Sequence, residues 1–161
     1  MKTLASVLIG CVMLFSTSCE KSVEPGLVLS DSDYFIFGRY YGFCVGENCV
    51  DVFRLEQNQL LEDSTDVYPP SVGFYTGNYR LLSKQKYEDA KDIVDFFPKE
   101  LLNERSNVIG NPDAGDWGGL YVEYNIGGVR KYWLIDQMKS NVPVQYHQFI
   151  DKVNEKVDLL Q

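Results

Sequence analysis

Few of the side chains able to do chemistry stand close together in this sequence, and three groupings deserve a reading. Cys44 and Cys49 bracket residues 45–48 in "FCVGENCVDVF". Such a pair could be half of a zinc knuckle, a redox couple, or a clasp across a hairpin. The glycine-rich run "NPDAGDWGG" places Asp113 and Asp116 just before Trp117. Two carboxylates with backbone carbonyls could hold Ca²⁺, and an exposed Trp could stack on a sugar or a partner side chain. In a tight connection the same aspartates would instead bond local amides while the glycines supply positive φ. The run departs from the calcium-loop pattern D-x-[DN]-x-[DN]-G, so no metal is expected there. Arg39 shares one side of an alternating segment with Phe37 and Tyr41. It could present a cation beside rings to a ligand or protein, or pair with a carboxylate such as Asp51.

The remaining catalytic vocabulary is sparse. The single histidine, His147, falls off the apolar stripe of a C-terminal amphipathic segment and is expected to be solvated. One histidine without a neighbouring His or Cys makes no zinc site, and a Ser-His-Asp triad would need this same residue. No serine stands on a G-x-S-x-G elbow, and neither a P-loop nor a G-x-G-x-x-G follows a strand. Paired carboxylates work without a signature, so Asp113, Asp116 and Trp117 with Glu123 or Asp136 could form a ligand-binding or weakly hydrolytic site. The balance leans away from an enzyme, and no cofactor is expected. A net charge of −8 opposes nucleic acid and anionic membrane surfaces.

The elements that must position these residues are legible from periodicity. "YFIFGRYYGF" (34–43) alternates with aromatics on both sides, which predicts a central strand. "CVDVFRLEQ" (49–57) and "QLLED" (59–63) continue it as an antiparallel meander. Residues 63–82 read as a long ordered loop rich in Pro and Gly, with a short strand possible over 79–82. Ser83 can cap a helix through Phe97, and Pro98 opens a short helical continuation. Residues 109–119 form a second loop. "LYVEYNI" (120–126) and "VRKYWLID" (129–136) make a hairpin through Gly127-Gly128. Asn141 is placed to cap the last helix and Pro143 to take its first turn. Its stripe is Tyr146, Phe149, Ile150, Val153, Val157 and Leu160. The order β-β-β-α-β-β-α, joined by hairpins, predicts an α+β two-layer sandwich: an antiparallel sheet of about five strands with helices on one face.

The N-terminus decides the compartment. Lys2 precedes an apolar run from Leu4 to Phe15 that is too short to span a bilayer, and then "STSC" ends at Cys19. The small residues before that cysteine resemble the lipobox of bacterial lipoproteins, with Ser16 where Leu is more usual. The resemblance implies removal of residues 1–18 and diacylation of Cys19, while the small, polar residues that follow read as a flexible tether over 19–32 and the length beyond fits one domain over 33–161. It implies a membrane partner through the lipid anchor and location in the bacterial cell envelope, at the outer membrane or the periplasmic face. With Cys11 cleaved and Cys19 acylated, Cys44 and Cys49 remain as an even pair in an oxidising compartment. The hairpin clasp, a disulfide closing the turn 45–48, is then the expected state.

"YGFCVGENCVDVFRLEQNQLLED", "NPDAGDWGGLYVEY" and the closing W-L-I-D, V-P and F-I-D-K-V segments together resemble a group of Bacteroidetes lipoproteins. They are also similar, more distantly, to small envelope domains with a C-x-G-x-C hairpin, a shorter spacing than Cys44 to Cys49. The resemblance carries no activity and so transfers no catalytic residue. The expected role is non-catalytic binding to another protein at the envelope, with small-ligand, glycan or Ca²⁺ binding by the "NPDAGDWGG" loop as the alternative. Palmitate fed to producing cells is expected to label the chain, with labelling lost in Cys19→Ser. Equal labelling of both forms removes the anchor.

Overall fold

A computed structural model describes residues 26–44 and 49–161. The signal segment, Cys19 and the turn 45–48 lie outside the described residues. The elements are β1 (Tyr34–Tyr40), β2 (Val50–Glu56), β3 (Leu60–Asp63), β4 (Tyr79–Leu81), α1 (Lys84–Ala90), β5 (Val108–Ile109), β6 (Gly119–Ile126), β7 (Val129–Asp136) and α2 (His147–Leu160).

Among the described residues, seven strands form one sheet in the order β4-β3-β2-β1-β6-β7-β5. This corrects the expectation of about five. The additions are its two edges: β4 of 3 residues, where the short strand over 79–82 was possible, and β5 of 2 residues, too short to carry a period-two pattern. Every ladder is antiparallel except the β5–β7 contact. β1 is the central strand that its aromatics predict. Gly127 and Gly128 turn the β6–β7 hairpin with φ of 57° and 79°, the left-handed values a two-residue hairpin demands.

The mixed α+β class holds, and the helices lie on one face. Phe35, Phe37, Phe53, Leu55, Leu120, Val122 and Trp133 point into that layer and meet the stripe of α2. The predicted stripe residues Tyr146, Phe149, Ile150, Val153, Val157 and Leu160 are all buried. Lys156 joins them, satisfied by Asp92 Oδ1 at 2.7 Å and the Asp89 carbonyl at 2.6 Å. A buried ammonium is tolerable only with such partners, and here it ties α2 to the end of α1 and the 3-10 segment after it.

Two helix boundaries are corrected. Ser83 does cap α1, accepting the Lys86 amide, but α-helix ends at Ala90 and a 3-10 helix runs on over Lys91–Phe96. Phe97 stands extended at ψ 118°, as a residue before proline must, so the chain tightens and stops there. Asn141 does not cap α2. Its side-chain amide donates to Asp136 Oδ2 at 2.8 Å, and a 3-10 turn over Val144–Tyr146 leads into the helix instead.

Residues 26–32, expected as the end of a tether, lie against the helical layer. The Leu27 amide donates to the Val94 carbonyl at 3.0 Å, and Leu27 and Leu29 pack on the core. Asp33 then accepts the Gly127 amide at 2.8 Å, fixing the entry to β1 beside the β6–β7 turn.

Phe97 sits at the centre of this layer, its ring 5.8–6.1 Å from those of Phe35, Tyr124, Trp133 and Phe149. Phe97→Ala is expected to destabilise the chain by about 3–5 kcal/mol, read as a lowered denaturation midpoint at unchanged slope. A loss below about 1 kcal/mol would show that Phe97 does not hold these elements together.

Candidate functional site

The sequence-predicted residues divide between two faces and one end of the sheet. At the end where β1 and β6 meet as Tyr40 and Gly119, the chain continues into the cysteine hairpin and the "NPDAGDWGG" loop. Cys44 and Cys49 are joined by a disulfide with Cα atoms 5.5 Å apart, and the Tyr41 amide donates to the Cys49 carbonyl at 2.9 Å. The clasp is therefore the state the pair adopts.

Asp113 is the organiser of the neighbouring loop. Its amide donates to the Gly118 carbonyl at 2.9 Å, and its Oδ1 accepts the Gly118 amide at 3.0 Å. Its Oδ2 accepts the Tyr68 hydroxyl at 2.9 Å. Asp113 and Asp116 both take left-handed φ, 58° and 65°, a conformation aspartate tolerates better than most residues. Asp136 braces the same loop from below: buried at the end of β7, it accepts the amides of Asn111 and Met138 and the side chain of Asn141. These carboxylates hold backbone in place, and among the described residues no three His, Cys, Asp or Glu side chains group to hold a metal ion.

The loops so fixed leave rings in solvent. Gly42 lies against the Asp113 carboxylate and the Tyr68 ring, and Gly118 lies against the Tyr41 ring. Their chain neighbours Phe43 and Trp117 project from this end with 86% and 62% of their surface exposed, and Tyr68 with 46%. Burial and the adjacent Asp113 carboxylate push the Tyr68 phenol up to about 12, so it is a hydrogen-bond donor at any physiological pH. Phe43 and Tyr68 carried no motif; the signal available was their position beside the cysteine and proline turns.

Arg39 is not part of this end group. It faces the helical layer, where Nη1 donates to Asp158 Oδ1 of α2 at 2.7 Å and Nη2 stands 4.0 Å from Asp51. Gln161 also donates to Asp51 at 2.7 Å, so Arg39 and Asp51 together pin the C-terminus of α2 to the sheet. His147 is half-buried, not solvated. Its Nε2 lies 2.9 Å from both the Lys139 and Val142 carbonyls, so the proton on that nitrogen is donated into the turn before α2.

The second sheet face carries polar groups with no counterpart in the two-layer expectation. Residues 64–78 fold across it and supply a third layer, held by tyrosines and carboxylates. The Tyr75 hydroxyl donates to Asp63 Oδ2 at 2.6 Å, while the Tyr75 amide donates to the Tyr121 hydroxyl at 2.8 Å. Tyr121 passes its own proton toward Glu123 Oε2 at 2.5 Å. The Gly73 amide donates to the Tyr132 hydroxyl at 2.9 Å, and Asn78 donates to Asp63 Oδ1 at 2.6 Å. Glu123 is fully buried here, bonded also to Tyr34 and Arg130, and does not meet Asp113 or Asp116. Burial first, and the bonded carboxylates second, raise the Tyr75 and Tyr121 phenols far above their ordinary range.

Asp63 is the keystone of this strap. Burial pulls its pKa upward, but bonds from Thr65, Tyr75 and Asn78 outweigh it and leave the carboxyl below the usual aspartate range. A carboxyl that titrates lower in the folded chain stabilises fully above its unfolded pKa of about 4 and loses that contribution as pH falls through the folded value. Protection of the Gly73, Tyr75 and Asn78 amides against hydrogen exchange is therefore expected to fall on acidification below about pH 4. Asp63→Asn should show reduced protection already at neutral pH and a flatter acid response. Protection unchanged from neutral pH to about pH 3 would show that the Asp63 carboxylate does not hold the strap.

No family model, curated protein or solved structure matches the chain, so the functional reading rests on its own residues and their geometry.

Proposed function

We propose that this chain is a lipid-anchored protein of the bacterial cell envelope that acts without catalysis, by binding another protein through Phe43, Tyr68 and Trp117. The proposal includes acylation at Cys19 and kinship with the Bacteroidetes lipoproteins that the sequence resembles. One observation carries the binding assignment. The carboxylates of Asp113 and Asp136, which a ligand or hydrolytic reading would need, are committed to loop backbone, whereas the rings around them stay in water. Large rigid aromatics held on ordered loops lose little entropy on docking and dominate protein interfaces.

The placement of the two ends supports the same reading. Residues 26–33 enter at the Tyr34 end of β1, and the rings stand beyond its Tyr40 end. The strand's 7 residues separate them by roughly 23 Å. A domain lipidated at Cys19 would carry its exposed rings on the side away from the point where the anchored segment arrives.

Affinity capture from detergent-solubilised envelope is expected to recover a stoichiometric protein partner. Phe43→Ala and Trp117→Ala should each weaken capture by roughly tenfold or more, the scale of losing one interface hot spot. Capture unaffected by both substitutions overturns the ring assignment. Partner-free protein with a thermal shift in Ca²⁺ or a glycan, abolished by Asp116→Ala, would replace protein binding with the ligand alternative.

A further inference from the structure

Away from the Tyr40 end of β1, rings at or near the surface carry a cation of the chain's own. The guanidinium carbon of Arg130 stands 4.1 Å from the centre of the Phe74 ring, Lys152 Nζ 5.0 Å from that of Phe96 and Lys91 Nζ 6.0 Å from that of Tyr87. Arg54 and Arg130 flank the Tyr34 ring at 4.1 Å and 5.9 Å. A cation over a ring face is held by the ring's quadrupole. Among the described residues no such cation stands over Phe43, Tyr68 or Trp117.

The charge beside these three rings is negative and has no counterion. Residues 41–44, 64–72 and 110–118 contain Asp66, Asp113 and Asp116 but neither Lys nor Arg. Asp113 is bonded to the Tyr68 hydroxyl and the Gly118 amide, and Asp136 beneath it to the amides of Asn111, Met138 and Asn141. Neutral donors such as these fix a carboxylate without cancelling its charge. Burial pushes the Tyr40 phenol up, and Tyr68, Asp113 and Asp136 push it further, so the negative field reaches the root of the ring group.

Asp116 is the carboxylate a partner can reach. It is exposed, directly precedes Trp117, and makes no side-chain hydrogen bond or ion pair among the described residues. The cations that border this end are engaged elsewhere. Arg39, 5.8 Å from the centre of the Tyr41 ring, is paired with Asp158 at 2.7 Å, and Lys139 with Asp151 at 2.6 Å.

We propose that the partner brings an arginine-bearing segment to this end, its guanidinium groups lying on the exposed rings of Phe43 and Trp117 with Asp116 as their counterion. The proposal rests on the assignment of binding to these rings and specifies the chemistry they receive. A guanidinium is planar, weakly hydrated and able to stack on a ring while its edge still donates to a carboxylate, which an ammonium does less well. An acidic partner face would meet like charge at Asp116 and Asp113, and that juxtaposition excludes it.

The test titrates the full chain with a synthetic peptide of alternating glycine and arginine and follows ¹H–¹⁵N correlation spectra. The same peptide with neutral citrulline, or with glutamate, in place of arginine runs in parallel. The arginine peptide is expected to shift the Trp117 indole N–H and the Phe43 and Asp116 amides saturably, while the indole of buried Trp133 stays in place. The citrulline and glutamate peptides should give no saturable shift. Trp117→Ala and Asp116→Asn should each weaken binding by roughly two- to fivefold, the scale of one exposed ring or charge contact. Asparagine tolerates the left-handed φ of 65° at residue 116, so that variant removes charge and keeps the loop. The proposal is overturned by citrulline binding equal to arginine binding, by no saturable response, by shifts centred away from Phe43 and Trp117, or by full affinity in Asp116→Asn. Envelope capture that needs Phe43 and Trp117 yet is unchanged in Asp116→Asn leaves the ring assignment standing and overturns the arginine partner. Capture indifferent to the rings overturns both.

Discussion

β1 is hydrogen-bonded on both edges and buried on both faces, and the remaining architecture follows from covering it twice. Phe35 and Phe37 leave it one way and Tyr34, Ile36 and Tyr40 the other. An antiparallel sheet commonly turns one face to water, but a central strand with large rings on both sides cannot do so. The helical layer answers the first set of rings and the strap of residues 64–78 answers the second.

The two covers are built from different physics. Beneath α2 the contacts are apolar and aromatic, held by area removed from water, with Lys156 and Arg39 as paired exceptions. Beneath the strap, tyrosines pack by their rings and use their hydroxyls as donors to Asp63, Asp113 and Glu123. A segment without regular secondary structure has backbone amides to satisfy. Here tyrosine hydroxyls of the sheet accept two of them, from Gly73 and Tyr75, which is how an irregular stretch can serve as a layer.

What the sequence made legible follows from range. The alternation of Phe35 and Phe37 against Tyr34 and Ile36, and the stripe from Tyr146 to Leu160, are local periodicities, and both identify buried faces correctly. The Asp and Gly turn chemistry of residues 111–119 was readable for the same reason. The strap's role was not, because its bonds link residues 12, 45 and 46 positions apart, with no spacing rule to reveal them. Arg39 shows the same limit: pairing with Asp51 could be anticipated from adjacent strands, but its shorter bond goes to Asp158, 119 positions away. The convergence of Arg54 and Arg130 on the Tyr34 ring depends on a sheet order no local pattern encodes. β7 joins the sheet through β6, on the far side of β1 from β2.

The positions of Leu27 and Phe43 at opposite ends of β1 also have a mechanical meaning. A load applied between the N-terminal segment and the rings would run along the axis of β1, parallel to its ladders with β2 and β6. Ladders pulled along their length resist in shear, with many hydrogen bonds strained at once, whereas a hairpin pulled apart at its open end unzips them singly. The same strand that forces the fold to have two covers is thus the member best placed to carry tension from one end of the domain to the other.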